Sequence, residues 1–113
     1  RRFIELREAY PWDALLESKI GLVHYRLGRL DDALKGYKLA IAVTPGDSAL
    51  WVDRGVIEHE LDRREEAVSS LGEAIRVDPR NANAFYWRAR VRLAQDEVAL
   101  ALKDIDAAIA LDP

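Results

Sequence analysis

The chain has 113 residues, half of them apolar and a third charged, with a net charge of −3. This is one domain's length and the composition of a folded chain, not a disordered one. The mild acidity gives no reason to expect nucleic acid or an anionic membrane as partner. Cysteine is absent, which excludes disulfides, thiol nucleophiles and zinc–thiolate sites. No apolar run approaches a membrane span, and no signal-peptide pattern opens the chain. Methionine is absent too, even at position 1. The expectation is therefore a piece of a longer protein, with any targeting sequence or catalytic domain outside it.

Residues 1–13 read as the tail of a preceding second helix or as a capping helix, with a short helix ahead of Pro11. Phe3 falls in the aromatic column described below, while Leu6 and Arg7 replace the alanine and isoleucine of that pattern. From here the punctuation is periodic. Pro11, Pro45, Pro79 and Pro113 lie 34 residues apart and are all the prolines in the chain. Two residues after the first three stand Asp13, Asp47 and Asn81, whose side-chain oxygens can accept from the free N–H groups of a new helix. Each proline and cap together end one helix and start the next.

The first helix is expected near 14–27, with Leu16, Ile20, Val23 and Leu27 as its buried stripe. Gly28 and Arg29 break it. The second, near 31–43, carries Ala33, Leu34, Tyr37, Ala40 and Ile41. The third is expected near 48–61 and the fourth near 65–77, with the break at Asp62 and Arg63. The fifth, near 82–94, and the sixth, near 98–111, are separated by Gln95, Asp96 and Glu97, where no glycine marks the turn. Asp31, Asp32, Glu65 and Glu66 sit at helix starts, where negative charge suits the helix dipole.

The same lag aligns whole columns. Small residues recur at Gly21, Gly55 and Ala89, at Ala33, Ala67 and Ala101, and at Ala40, Ala74 and Ala108. Branched residues recur at Val23, Ile57 and Val91, and larger ones at Tyr37, Leu71 and Ile105. Helices approach closely only where one presents Gly or Ala, and a larger neighbour then fills the space beside it. Arg54 and Arg88 stand out, because they fall in the buried column of Ile20 and a buried guanidinium needs a partner. Asp104 is placed to pair with Arg88. Its counterpart in the second unit is Ser70, so no partner for Arg54 is evident.

Motifs for phosphate loops, zinc-binding His-Glu-x-x-His, calcium loops and nucleophile elbows are missing. His24 and His59 fall on neighbouring first helices, yet a metal site needs further ligands. Arg88 and Arg92 share a helix face while Arg90 points away, which is no phosphate-tracking surface. The expectation is no enzyme, no catalytic or metal-binding residue and no cofactor.

These columns resemble the tetratricopeptide repeat, a 34-residue helix–turn–helix with small, aromatic and proline marks. The middle unit carries Trp51, Gly55, Ala67, Leu71, Ala74 and Pro79. The first has Gly21, Ala33, Tyr37, Ala40 and Pro45, with Glu17 where the family often has tryptophan. The third has Phe85, Ala89, Ala101, Ile105, Ala108 and Pro113. The resemblance implies an all-α fold: a right-handed α-solenoid of three antiparallel helix–turn–helix repeats plus a short N-terminal helix. It divides the chain into residues 1–13 and repeats 14–47, 48–81 and 82–113, one continuous domain. First helices would line a concave face and second helices the convex back.

The implied role is a non-catalytic scaffold that docks a protein or peptide in an apolar groove. The first repeat would contribute Leu15, Ser18, Leu22 and Tyr25, the second Val52, Val56 and His59, and the third Tyr86, Arg90 and Leu93. One subclass of the family grips carboxylate tails of chaperones with a clamp of Lys, Asn and Arg. Here those places hold mainly Ser18, Leu22, Val52, Val56 and Tyr86, and only Arg90 has the clamp's character. The implied ligand is an amphipathic helix or apolar segment with an acidic group near Arg90. Two alternatives stand beside this. One is a self-association element, using the C-terminal hairpin, where Val98, Leu102, Ile105 and Ile109 form an apolar side. The other is a regulatory segment of a larger enzyme.

Overall fold

A computed structural model describes residues 14–112. They form six helices and, among the described residues, no strand: α1 Ala14–Arg26, α2 Leu30–Val43, α3 Ser48–Glu60, α4 Arg64–Val77, α5 Ala82–Ala94 and α6 Val98–Leu111. Every bound lies within one residue of the expected one. The expected helix before Pro11 and the cap at Asp13 lie outside the described residues. The chain divides into two compact units, Arg1–Gly46 and Asp47–Pro113. The first holds the hairpin α1–α2. The second holds the hairpins α3–α4 and α5–α6, with α4 packed on α5 and α3 touching α5.

All three hairpins turn in the same way. The Arg29, Arg63 and Glu97 amides donate to the carbonyls of His24, Glu58 and Arg92, at 2.8 Å in each case. The residue before each amide is left-handed: Gly28 at φ 77°, Asp62 at 63° and Asp96 at 62°. A six-to-one bond over a left-handed residue is the Schellman ending of a helix. Glycine adopts that conformation freely, and aspartate tolerates it because its short side chain bonds locally. The third turn therefore matches the first without a glycine. It also corrects one assignment: Leu27, expected on the buried stripe, follows the last residue of α1 and is 61% exposed, because the chain leaves helical geometry there.

Inside the hairpins the small columns act as expected. A Cβ on Gly55 would lie 2.7 Å from Leu71 Cγ, and one on Gly21 would lie 3.0 Å from Tyr37 Cδ2. In the first unit the backbones themselves meet, since a Cβ on Gly36 would lie 3.0 Å from Gly21 Cα. Ile20, Ala33, Leu34, Tyr37, Ala40 and Ile41 bury the apolar face of that hairpin. In the second unit Val52, Ala67, Leu71, Ala74, Ala84 and Val91 form one core. Trp51, Val56, Val68, Ile75 and Trp87 pack around it.

The caps differ from one another. Asp47 accepts from the Ala49 amide at 3.1 Å and caps α3. Asn81 makes no such bond at α5. Its Nδ2 donates instead to Ser48 Oγ at 2.8 Å, and Ser48 Oγ donates to the Ala74 carbonyl at 2.9 Å. The start of α5 is thereby tied to the start of α3 and the last turn of α4.

The two arginines of the buried column both have partners. Arg88 grips Asp104 through two bonds, Nε to Oδ2 at 3.0 Å and Nη2 to Oδ1 at 2.8 Å, and Arg92 adds a third to Oδ2 at 2.8 Å. Asp104 is buried. Three charge-assisted bonds on one carboxylate are the arrangement that makes a buried charge tolerable. Arg54 pairs with Glu58 one turn on, at 3.5 Å, and Ser70 donates to the other oxygen of Glu58 at 2.5 Å. Both arginines also lie over an aromatic ring at the start of their helix, Arg54 over Trp51 at 5.3 Å and Arg88 over Phe85 at 5.7 Å.

Candidate functional site

The residues read as a ligand surface lie on the outward stripe of each first helix. In α1, Leu15 is 66% exposed, while Ser18, Leu22 and Tyr25 are half-buried. The Ser18 hydroxyl donates back to the Leu15 carbonyl at 2.9 Å, so it caps its own backbone rather than pointing free into solvent. Leu15 and Leu22 leave this stripe mainly apolar.

In α3 the stripe is more closed. Val52 belongs to the core and is 6% exposed. The reason is local, because Ala84 and Val91 of α5 share its cluster. Val56 is half-buried beside the same core. His59 is half-buried, and its Nδ1 is buried with no hydrogen-bond partner. Among the described residues no three His, Asp or Glu side chains converge where they could hold a metal ion.

The stripe on α5 is the open one. Tyr86 and Leu93 are each 48% exposed, and Arg90 between them is exposed as well. Spacings of four and three residues set all three on one helix face. The Arg90 guanidinium sits 4.7 Å from the Trp87 ring centroid and 5.9 Å from that of Tyr86. Those two rings meet edge to face at 5.7 Å. A cation over an aromatic face is held without losing its hydrogen-bond donors. Among the described residues Arg90 has no carboxylate partner. Trp87 is the residue that sequence reasoning missed here. Its spacing of three from Arg90 was a legible signal.

A second unassigned feature is a hollow of about 620 Å³ in the second unit, lined by Asp62, Arg63, Arg64, Glu65, Glu66, Gln95 and Glu97. It lies at the turn ends of the two hairpins, and Arg64 pairs with Asp62 at 3.0 Å on its wall. Its lining is carboxylate, guanidinium and amide groups, with no histidine. Among the described residues no helix is long and apolar enough to cross a membrane.

A family model described as tetratricopeptide repeat matches residues 18–69 and 60–113. No curated protein matches the chain. Among solved structures, MamA superposes with a TM-score of 0.92 at 20% identity, over 98% of this chain and 65% of that one. This chain thus spans less than two thirds of MamA's length. The TPR2B domain of yeast Sti1, solved as a complex with pHsp70, superposes with a TM-score of 0.86 at 27% identity, over 88% of this chain and 79% of that one. The second TPR of Spaghetti (RPAP3), bound to the HSP90 peptide SRMEEVD, reaches 0.83 at 23% identity, over 88% and 92%.

Proposed function

The chain belongs to the tetratricopeptide repeat family, and from that premise we propose that it is a non-catalytic scaffold that binds a protein or peptide through the outward stripe of its first helices, with that of α5 the open one. The observation that carries this reading is the open face of α5. Two large apolar side chains, Tyr86 and Leu93, stand half in water around an arginine held on a tryptophan. Exposed apolar groups with a fixed donor between them form a recognition surface. The complex of the yeast Sti1 domain with pHsp70 supports the class of ligand.

The ligand on this reading is an amphipathic helix or apolar segment with a carboxylate opposite Arg90. At the clamp's places, held mainly by Ser18, Leu22, Val52, Val56 and Tyr86, only Arg90 supplies a cation, which speaks against a grip on a chain terminus. Val52, being in the core, acts by supporting the stripe rather than by touching the ligand. Leu22→Asp and Val56→Asp test the proposal. Each should weaken capture of the partner far more than it lowers the melting temperature. Binding that survives both changes, but is abolished by substituting Glu60 or Arg90, would replace the apolar reading by an electrostatic one.

A second reading has its own observation. On α6, Val98, Leu102 and Ile109 are 49%, 54% and 57% exposed. An apolar face of this kind suits self-association. Light scattering over a concentration series, with Leu102→Lys as control, separates the two readings.

A further inference from the structure

Three hairpins with one turn geometry stand on a single chain, and most positions where paired helices touch are interchangeable. Ala33, Ala67 and Ala101 are buried alike, as are Ala40 and Ala74. Beside the column of Tyr37, Leu71 and Ile105, one position per second helix breaks the pattern. Gly36 in α2, Ser70 in α4 and Asp104 in α6 share one register, and all three are buried. On the first helices, two positions one turn apart vary with them. They hold Ile20 and His24 in α1, Arg54 and Glu58 in α3, and Arg88 and Arg92 in α5.

We propose that this set is a pairing key, by which each first helix accepts its own second helix and rejects the other two. The six wrong pairings all fail on contacts already described. A Cβ at the place of Gly36 would lie 3.0 Å from Gly21 Cα and 3.1 Å from the Glu17 carbonyl oxygen. Those are backbone atoms that cannot swing aside. Hence neither α4, bringing Ser70, nor α6, bringing Asp104, docks on α1 at the native depth. Against α3, helix α2 offers no hydroxyl to the buried Glu58, because Gly36 has no side chain. Helix α6 would set the Asp104 carboxylate against Glu58, with Arg54 alone to serve both. Against α5, neither Gly36 nor Ser70 supplies the carboxylate that Arg88 and Arg92 share. A buried charge without its partner is far more costly than the same charge paired. The key thus works by penalties on wrong pairings, which is how specificity arises between similar surfaces.

The key goes beyond ligand binding. It keeps near-identical hairpins from pairing with unlike helices, along the chain or between copies, during folding. The test is to erase it without breaking it. Arg92→Glu and Asp104→Ser, made together with Ala89→Gly and Ile105→Leu so that Leu71 meets no Cβ on either first helix, give the third hairpin the set that the second already satisfies, so α4 and α6 become equivalent partners. The full chain is unfolded in denaturant and refolded at high protein concentration beside the unaltered chain, and trapped dimer is measured at once by size exclusion with light scattering. A sample never unfolded reports any dimer formed through surface contacts alone.

The expected result is a rise in trapped dimer of about tenfold or more, well inside the roughly hundredfold that one unpaired buried charge should discriminate. The reverse transplant, Glu58→Arg and Ser70→Asp with Gly55→Ala and Leu71→Ile, should behave alike. If only one transplant folds, that one decides. Trapped dimer no more abundant than in the unaltered chain, from folded variants, overturns the proposal. So does failure of both transplants to fold, because the sets would then not be interchangeable between equivalent registers.

Discussion

The tightest contact in the second unit sets a stability experiment with an internal control. Gly55 and Gly72 are both helical glycines, in α3 and α4. Alanine in either should gain roughly 1 kcal/mol from helix propensity alone. At Gly72 nothing opposes that gain, since the new Cβ would meet only Arg88 Nη1, at 3.9 Å. At Gly55 the new Cβ would meet Leu71 Cγ at 2.7 Å and Cδ2 at 3.0 Å. Leu71 is wholly buried, and Cγ is its branch point, so rotation about χ2 leaves it in place and a change of χ1 would drive the side chain into packed neighbours. Overpacking of this kind costs about 1–3 kcal/mol. Gly72→Ala should therefore stabilise by about 0.5–1 kcal/mol, whereas Gly55→Ala should fall between break-even and a loss of about 2 kcal/mol. Urea unfolding with equal m-values, or thermal melts, would read the gap of about 0.5–3 kcal/mol, roughly 2–12 °C at this size. In a Leu71→Ala background the gap should close, because the opposing atom is gone. Two glycines that respond alike, or a gap that persists without Leu71, would refute the packing argument.

Other outcomes follow from the charged interiors and the turns. Asp104→Ala strands two guanidiniums and should cost about 3 kcal/mol, at the low end for a buried pair because both arginines keep some contact with water. Chemical denaturation of Arg88→Ala, Asp104→Ala and the double variant should show the double costing less than the sum, and strict additivity would deny the pair. Asp96→Gly should stabilise by about 0.5–1 kcal/mol, because the left-handed conformation there costs an L-residue and not glycine. Gly28→Ala should destabilise by about 1 kcal/mol or more in the same assay, since it forces alanine to a positive φ.

Most of the helical frame could be read from residues alone. The proline interval and the caps fixed the starts of α3 and α5, and Gly55 opposite Leu71 was legible as a close approach. The pair of Arg88 with Asp104 was legible too, because a charge in an apolar column demands an answer on the facing helix. Arg54 was harder. Its partner, Glu58, lies one turn along the same helix, whereas the register pointed to the facing helix, where Ser70 stands. The turn at Asp96 lacked a signal because aspartate at a left-handed position looks like any polar residue. Of the ligand stripes, Val52 was the least readable. Outward and inward faces differ there by one residue, and the packing of α5 decides which way that residue counts. Trp87 beneath Arg90 was in plain sight at a spacing of three, hidden by its value as a core aromatic.

Ser48 has a wider reach than its size suggests. Its hydroxyl takes a proton donor from Asn81 and hands its own to the Ala74 carbonyl, so three helix ends hang from one oxygen. Its counterparts at the starts of α1 and α5, Ala14 and Ala82, have no hydroxyl. Repeat arrays ordinarily open piecemeal, each hairpin fraying almost independently of the next. Here the end of α4 cannot fray without releasing the start of α3 and loosening the start of α5. The second and third hairpins are therefore expected to open as one cooperative block, with amides near Ser48 and Asn81 exchanging hydrogen at a common slow rate, while the turn ends at Asp62 and Asp96 breathe on their own.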